Sequence, residues 1–116
     1  MPVPDLYLRL ADRLLQLERV MRETGLWSSE RPGEEAFAST MPFCADRMAL
    51  EEWLQFVFIE RMKVMVEARA PMPGPCAIRP MAEERLKSLG RDNPAFLDVL
   101  GEIDALVTHG GGAPRH

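Results

Sequence analysis

The sequence predicts an all-α fold: a single-domain, four-helix bundle-like architecture with a long ordered connection after the first helix. Four segments carry apolar residues at helical spacings of three and four, and no segment shows the two-residue alternation of a strand. The 116 residues are 47% hydrophobic and 28% charged, which is enough for one buried core. We therefore expect one helical domain over residues 1–108 and a disordered tail over residues 109–116.

The first helix is predicted over residues 5–24, and Gly25 stands where it should end. The connection that follows, residues 25–45, has no helical period but holds Phe37 and Phe43, whose rings favour burial. Long ordered connections are more often functional than short ones. The inward stripe of this helix is predicted to consist of Tyr7, Leu10, Leu14, Leu17 and Met21.

The second helix is predicted over residues 46–69, with Asp46 as its N-cap. It is the most apolar segment, so we expect it to be the central helix that the other three cover. At about 100° per residue, its main apolar side contains Arg61 in the middle, with Trp53 at the flank. The apolar members of that side are Leu50, Leu54, Val57, Met65 and Ala68.

The proline-rich segment 70–80 predicts a stiff, extended connection. A short third helix should run from about Pro80 to Leu89. A fourth should begin with Asn93 as its N-cap and Pro94 in its first turn. The apolar face of the fourth helix is predicted to consist of Phe96, Val99, Leu100, Ile103, Leu106 and Val107.

Arg61 conflicts with its predicted surroundings, because burying a lone guanidinium costs several kcal/mol. Three interpretations remain open. Arg61 forms an interior ion pair with Asp104 or Glu83, its head group reaches solvent along the aliphatic stem, or it is the cation of a functional anion site. These three residues are therefore candidate binding residues.

Composition disfavours several classes of protein. Net charge is −4, so direct nucleic-acid binding is not expected. The two histidines lie in the tail and no CxxC pair exists, so we expect neither a metal nor another cofactor. No apolar run spans a bilayer, and the N-terminus lacks the apolar core of a signal peptide. These features predict a cytoplasmic protein in which Cys44 and Cys76 stay reduced.

Weaker binding candidates lie near the second helix. Trp53 is either a ligand shelf or core, and Phe43 borders a predicted apolar groove. Ser39 and Thr40 carry hydroxyls, but no histidine outside the tail stands ready to activate them. Capping or turn formation is therefore the simpler interpretation of both hydroxyls. No catalytic residue is predicted.

The stretch STMPFCADRMALEEWLQFVFIERM, residues 39–62, resembles the signature of the YqcC-like family of small bacterial proteins. The similarity continues through Pro73, Pro80, Glu83 and the IDAL segment that contains Asp104. It implies an all-α helical bundle and supplies no catalytic residues. Members of this family are often encoded beside a tRNA pseudouridine synthase, so the resemblance also implies an association with that enzyme. The matching residues are Ser39, Thr40, Pro42, Phe43, Asp46, Met48, Glu52, Trp53, Leu54, Gln55, Ile59, Arg61 and Met62.

Three functional hypotheses follow. The first is a non-enzymatic binding or adaptor module that holds a protein partner in an apolar groove, with a link to RNA modification. The alternative is a small-molecule or anion-binding protein, or an enzyme, with its site around Arg61. The third is self-association into a homodimer through the apolar surface of the second helix. A pocket walled by Arg61 would favour the alternative, whereas an exposed apolar patch elsewhere would favour the adaptor.

Overall fold

The structure is a computed structural model that describes residues 6–38, 48–72 and 76–112, with only the backbone described at 110–112. The described residues contain helices and no strand, and the predicted all-α fold is confirmed. The third helix, α3, is continuous from residue 50 to residue 68 and includes a π-helical segment. The helices are α1 (Leu6–Glu23), α2 (Glu34–Phe37), α3 (Leu50–Trp53, π segment Leu54–Phe58, Ile59–Ala68), α4 (Arg79–Leu89) and α5 (Pro94–Gly112).

The main core lies between α1 and α5, which pack against each other more extensively than any other pair of helices. Helix α4 packs on α5, and the C-terminal half of α3 packs on α1. The prediction that the second predicted helix is central is therefore wrong. Its broad apolar surface is divided between this core and a second, smaller cluster around Ala36 and Met48. The core side chains of α1 and α5 are Leu10, Leu14, Leu17, Val20, Met21, Phe96, Val99, Leu100, Ile103 and Val107.

The π segment changes which side of α3 faces the core. Its extra residue is visible in the hydrogen bond that the Ile59 N–H donates to the Leu54 carbonyl, five residues earlier. One inserted residue rotates the following turns by about 100° relative to a regular α-helix. Met62 consequently takes the inward position predicted for Arg61, and Phe58 takes that of Val57.

Both ends of α3 differ in detail from the predicted boundaries. The helix begins at Leu50 with Ala49 in the N-cap position, where the Ala49 N–H donates to Glu52 Oε1 at 2.9 Å. The predicted cap, Asp46, lies outside the described residues. At the other end Arg69 adopts a left-handed φ of 50°, and the Ala70 N–H donates to the Met65 carbonyl at 2.9 Å. This backbone bond closes the helix.

The connection after α1 is ordered where the structure describes it. Gly25 has a φ of 77°, and the Leu26 N–H donates to the Met21 carbonyl at 2.8 Å, which ends α1 at the predicted place. The connection also contains the single turn of α2, although its sequence shows no helical period. Phe37, at the end of α2, is half-buried as a member of the smaller cluster.

Helix α5 begins as predicted and extends further than predicted. The Phe96 N–H donates to Asn93 Oδ1 at 3.3 Å, which confirms Asn93 as the N-cap. The helix continues through Gly112, so residues 109–112 are helical instead of belonging to the predicted tail. Residues 113–116 lie outside the described part of the chain.

Candidate functional site

The structure does not assemble the predicted site around Arg61. The Arg61 side chain is exposed on α3, so the prediction of an inward cation is wrong, and the π segment is the physical reason. Glu83 is exposed on α4 and pairs with Arg79 at 3.5 Å. Asp104 binds backbone groups near the start of α4. Among the described residues no carboxylate forms an ion pair with Arg61, so this set of residues does not form an anion site.

Asp104 instead caps α4 from a distance in sequence. Its two carboxylate oxygens accept the N–H groups of Ile78 and Arg79 at 2.8 and 2.9 Å. A helix leaves its first N–H groups without partners inside the helix, and its N-terminus favours a negative charge. Asp104 therefore holds the N-terminus of α4 against α5.

Cys76 lies beside this cap, and its thiol has low reactivity. Its thiol donates to Asp104 Oδ1 at 3.2 Å, and its backbone N–H donates to Thr108 Oγ1 at 2.9 Å. Burial and the neighbouring Asp104 carboxylate raise the pKa of the thiol to about 12. The thiol is protonated at neutral pH, and it is therefore a structural group and not a nucleophile.

An ion pair that sequence reasoning missed connects α3 to α4. The Arg85 guanidinium donates to both carboxylate oxygens of Glu51, each at 2.9 Å. Burial raises the pKa of Glu51, but the hydrogen bonds from Arg85 and from the backbone outweigh it, and the pKa is lowered overall. Nothing in the sequence pairs these two residues, which stand 34 positions apart. The pair is a structural contact between helices.

Gln55 is a second contact that the sequence did not reveal. A glutamine away from the main apolar side of its helix usually faces solvent, yet only 5% of Gln55 is exposed. Its Oε1 accepts the Ser28 N–H, and its Nε2 donates to the Ser28 carbonyl, both at 2.8 Å. The one signal in the sequence is its position as the only polar residue in LQFVF, residues 54–58. Gln55 thus attaches the long connection to α3.

The strongest candidate for a functional site is a surface where the connection meets α3. We call it the aromatic surface and define it by five residues: Arg31, Phe37, Trp53, Phe56 and Val57. The Arg31 guanidinium lies 4.3 Å from the centre of the Phe37 ring and 5.8 Å from that of Phe56. The four apolar side chains are all half-buried, so each presents part of its surface to solvent.

Trp53 links this surface to the main core. It packs against both hydrophobic clusters, and its ring centre lies 5.4 Å from that of Phe58. The other candidates from this region, Ser39, Thr40 and Phe43, lie outside the described residues, so their predicted roles stay predictions. Of the sequence-predicted candidates within the described residues, Trp53 alone is part of the aromatic surface.

Two features of the described residues bear on other functions. Residues 6–38, 48–72 and 76–112 contain no group of three or more His, Cys, Asp or Glu side chains arranged to hold a metal ion. None of the helices in these ranges combines the length and the apolar character that a membrane crossing requires.

Relatives of this chain exist both as small proteins and as part of an enzyme. A Haemophilus influenzae protein described as uncharacterized is 45% identical over 74 residues, which are 64% of this chain and 70% of that protein. A Pectobacterium carotovorum protein named tRNA pseudouridine synthase C is 45% identical over 60 residues. Those residues are 52% of this chain but only 16% of that longer protein.

The family itself is shown by sequence and by fold. A family model described as tRNA pseudouridine synthase C matches residues 9–106. The Escherichia coli protein YqcC is 36% identical over 98 residues, 84% of this chain and 87% of YqcC. The solution NMR structure of E. coli YqcC matches with a TM-score of 0.80, at 32% identity over 96% of this chain and 95% of that one. This chain belongs to the YqcC-like family, as the signature in residues 39–62 predicts.

Proposed function

We propose that this protein is a non-enzymatic accessory module that binds a tRNA pseudouridine synthase. The observation that carries the proposal is the segment homologous to this chain inside the P. carotovorum synthase, of which it makes up a small part. Joining two domains covalently raises their effective concentration for each other, so a fused pair needs no strong contact. Where the same two domains are separate chains, a noncovalent interface must supply the association.

The state of the ionisable groups supports a binding role over catalysis. Glu51 is held by Arg85, Asp104 is occupied by backbone N–H groups, and the Cys76 thiol is protonated. A general acid, general base or nucleophile needs an accessible group with a suitable pKa. These three groups instead connect separate segments of the chain.

The aromatic surface supplies chemistry that suits a protein partner. Phenylalanine, tryptophan and arginine are enriched in protein interfaces, where they contribute much of the binding energy. Arg31 is exposed and already stacked on Phe37, so its guanidinium is partly ordered before a partner arrives. Less conformational entropy is then lost on binding.

The net charge of −4 favours contact with the enzyme over contact with its tRNA. Binding to an RNA backbone depends on a concentration of positive charge that neutralises phosphates. In the described structure several arginines are committed to carboxylates on their own chain, among them Arg13, Arg22 and Arg85. The module is therefore expected to act on the synthase itself.

The test is direct binding between this chain and the tRNA pseudouridine synthase C of the same bacterium. We expect titration calorimetry to detect a complex, and we expect Arg31→Glu to weaken it by at least about tenfold. Lys87→Glu, an equal change of charge at an exposed position on α4, is the matched control and should bind as the wild type does. Absence of a complex at tens of micromolar of each protein (about the weak end for specific pairs) would refute the proposal.

A further inference from the structure

A second surface, distinct from the aromatic one, lies between α1 and the C-terminal half of α3. We call it the α1–α3 groove. The Tyr7 hydroxyl near the start of α1 donates to the Ala70 carbonyl just after α3 at 2.7 Å. Leu15, later on α1, and Lys63, earlier on α3, line the same groove, so the two helices run antiparallel. The groove has a volume of about 210 Å³ and is lined by Ala11, Leu14, Leu15, Lys63, Val66 and Glu67.

Helix α1 exposes large apolar side chains in a regular stripe that begins before the groove at Leu8 and continues along its wall at Ala11 and Leu15. Leu8 is 68% exposed and Leu15 is 64% exposed, and Ala11 stands between them. Positions 8, 11 and 15 are three and four residues apart, so they lie on one face of α1. Single exposed leucines are common on protein surfaces. Two on the same stripe, beside a concave apolar floor, indicate a surface that a partner covers.

The α3 wall carries one charge of each sign. With the helices antiparallel, Lys63 lies towards the Leu15 end of the groove and Glu67 towards the Ala11 end. Both charged side chains are exposed, so both are accessible to a partner. An occupant that complements them carries an acidic side chain at the first end and a basic one at the other.

We propose that the α1–α3 groove binds an amphipathic helix of the tRNA pseudouridine synthase, an inference that rests on the proposed function. The stripe from Leu8 to Leu15 spans seven residues, about 10 Å or two helical turns. A helix with apolar residues at i, i+3 or i+4, and i+7 matches that length. The end charges of the groove set its direction, because only one orientation places an acid near Lys63 and a base near Glu67.

The first experiment compares Leu15→Glu with Leu89→Glu in titrations against the synthase. Both leucines are exposed, so neither change should disturb the core, but Leu89 lies at the end of α4. We expect Leu15→Glu to weaken the complex by at least about tenfold and Leu89→Glu to leave it unchanged. A wild-type complex that Leu15→Glu does not weaken would overturn the groove assignment while leaving the proposed function intact. No wild-type complex would overturn both.

The second experiment asks what occupies the groove. Hydrogen–deuterium exchange of the synthase, with and without this chain, should show protection in a short segment with the stated apolar and charge pattern. Protection confined to segments without that pattern would overturn the helix assignment. A second copy of this chain is the competing occupant. If light scattering of this chain alone shows a dimer that Leu15→Glu dissociates, the groove belongs to a homodimer and the proposal is wrong.

Discussion

Arg61 and Met62 are neighbours in sequence with opposite environments. Arg61 is exposed, whereas only 2% of Met62 is exposed, in the main core. The charge of Arg61 therefore needs no interior ion pair, and of the three interpretations the exposed side chain agrees with the one in which the head group reaches solvent. The side chain that stabilises this turn of α3 is the methionine.

Alanine substitutions at these two positions should have very different effects on the free energy of unfolding. Met62→Ala removes a buried side chain and should cost about 2–5 kcal/mol. Arg61→Ala changes an exposed residue and should stay within about 0.5 kcal/mol. Chemical denaturation of both variants measures the difference. A loss at Arg61 as large as that at Met62 would mean that α3 is rotated differently from this description.

At the scale of the helices, much of the structure depends on side chains from one helix that bind the backbone of another segment. Asp104 and Thr108 on α5 hold the residues that lead into α4, and Gln55 on α3 holds the connection at Ser28. Each supplies partners for backbone groups that would otherwise have none in a partly buried position. Such contacts join segments far apart in sequence and therefore define how the helices are placed.

The cap at the start of α4 can be tested by removing its acceptors. Asp104→Ala deletes the partner of two backbone N–H groups at the helix start and should destabilise the protein by about 1–3 kcal/mol. Asp104→Asn keeps one acceptor oxygen and should cost less. Urea denaturation measures both variants. Equal stability of Asp104→Ala and the wild type would show that solvent satisfies these N–H groups equally well.

At the scale of the whole molecule, two hydrophobic clusters share the apolar surface of α3. The larger joins α1, α3, α4 and α5, and the smaller lies beneath the aromatic surface. The Glu51–Arg85 pair adds a polar link between the start of α3 and α4. This arrangement leaves two surfaces available for a partner, the aromatic surface near the start of α3 and the α1–α3 groove towards its end.

The Glu51–Arg85 link should make the stability of the molecule depend on pH. Because the pKa of Glu51 is lowered from its ordinary value of 4.5, the unfolded chain binds the proton more readily than the folded one. The contribution of this pair is therefore present above pH 4.5 and is lost as pH falls through the lower, folded pKa. Glu51→Gln should be less stable than the wild type near neutral pH, with the gap narrowing in acid.

Thermal melts of the wild type and Glu51→Gln across that pH range measure the effect. Glu84→Gln is a suitable control, since Glu84 is exposed and its contact with Lys87 is long, at 3.5 Å. A constant gap between wild type and Glu51→Gln from neutral to acidic pH would contradict the assignment. A gap of the same size for Glu84→Gln would show a general charge effect instead of this pair.

Local signals in the sequence account for the described helices other than α2 and for several of their ends. The stripe of α1, the cap at Asn93 and the left-handed glycines at positions 25 and 90 act through neighbouring residues, so they can be read without a fold. The family resemblance likewise lies in the sequence. The predicted site failed because it depended on the rotation of α3, which these local signals do not determine.

The packing of α3 against the rest of the protein determines its rotation about its own axis. The apolar face that α3 would present as a regular α-helix includes Arg61, and the extra residue of the π segment replaces it with Met62. The free energy of folding benefits from the burial of Phe58 and Met62 in the core without a lone charge. This benefit depends on α1, because α1 supplies the surface against which this part of α3 packs. The Glu51–Arg85 pair, the Gln55 contact and the groove all join distant parts of the chain, so only the tertiary structure could bring them together.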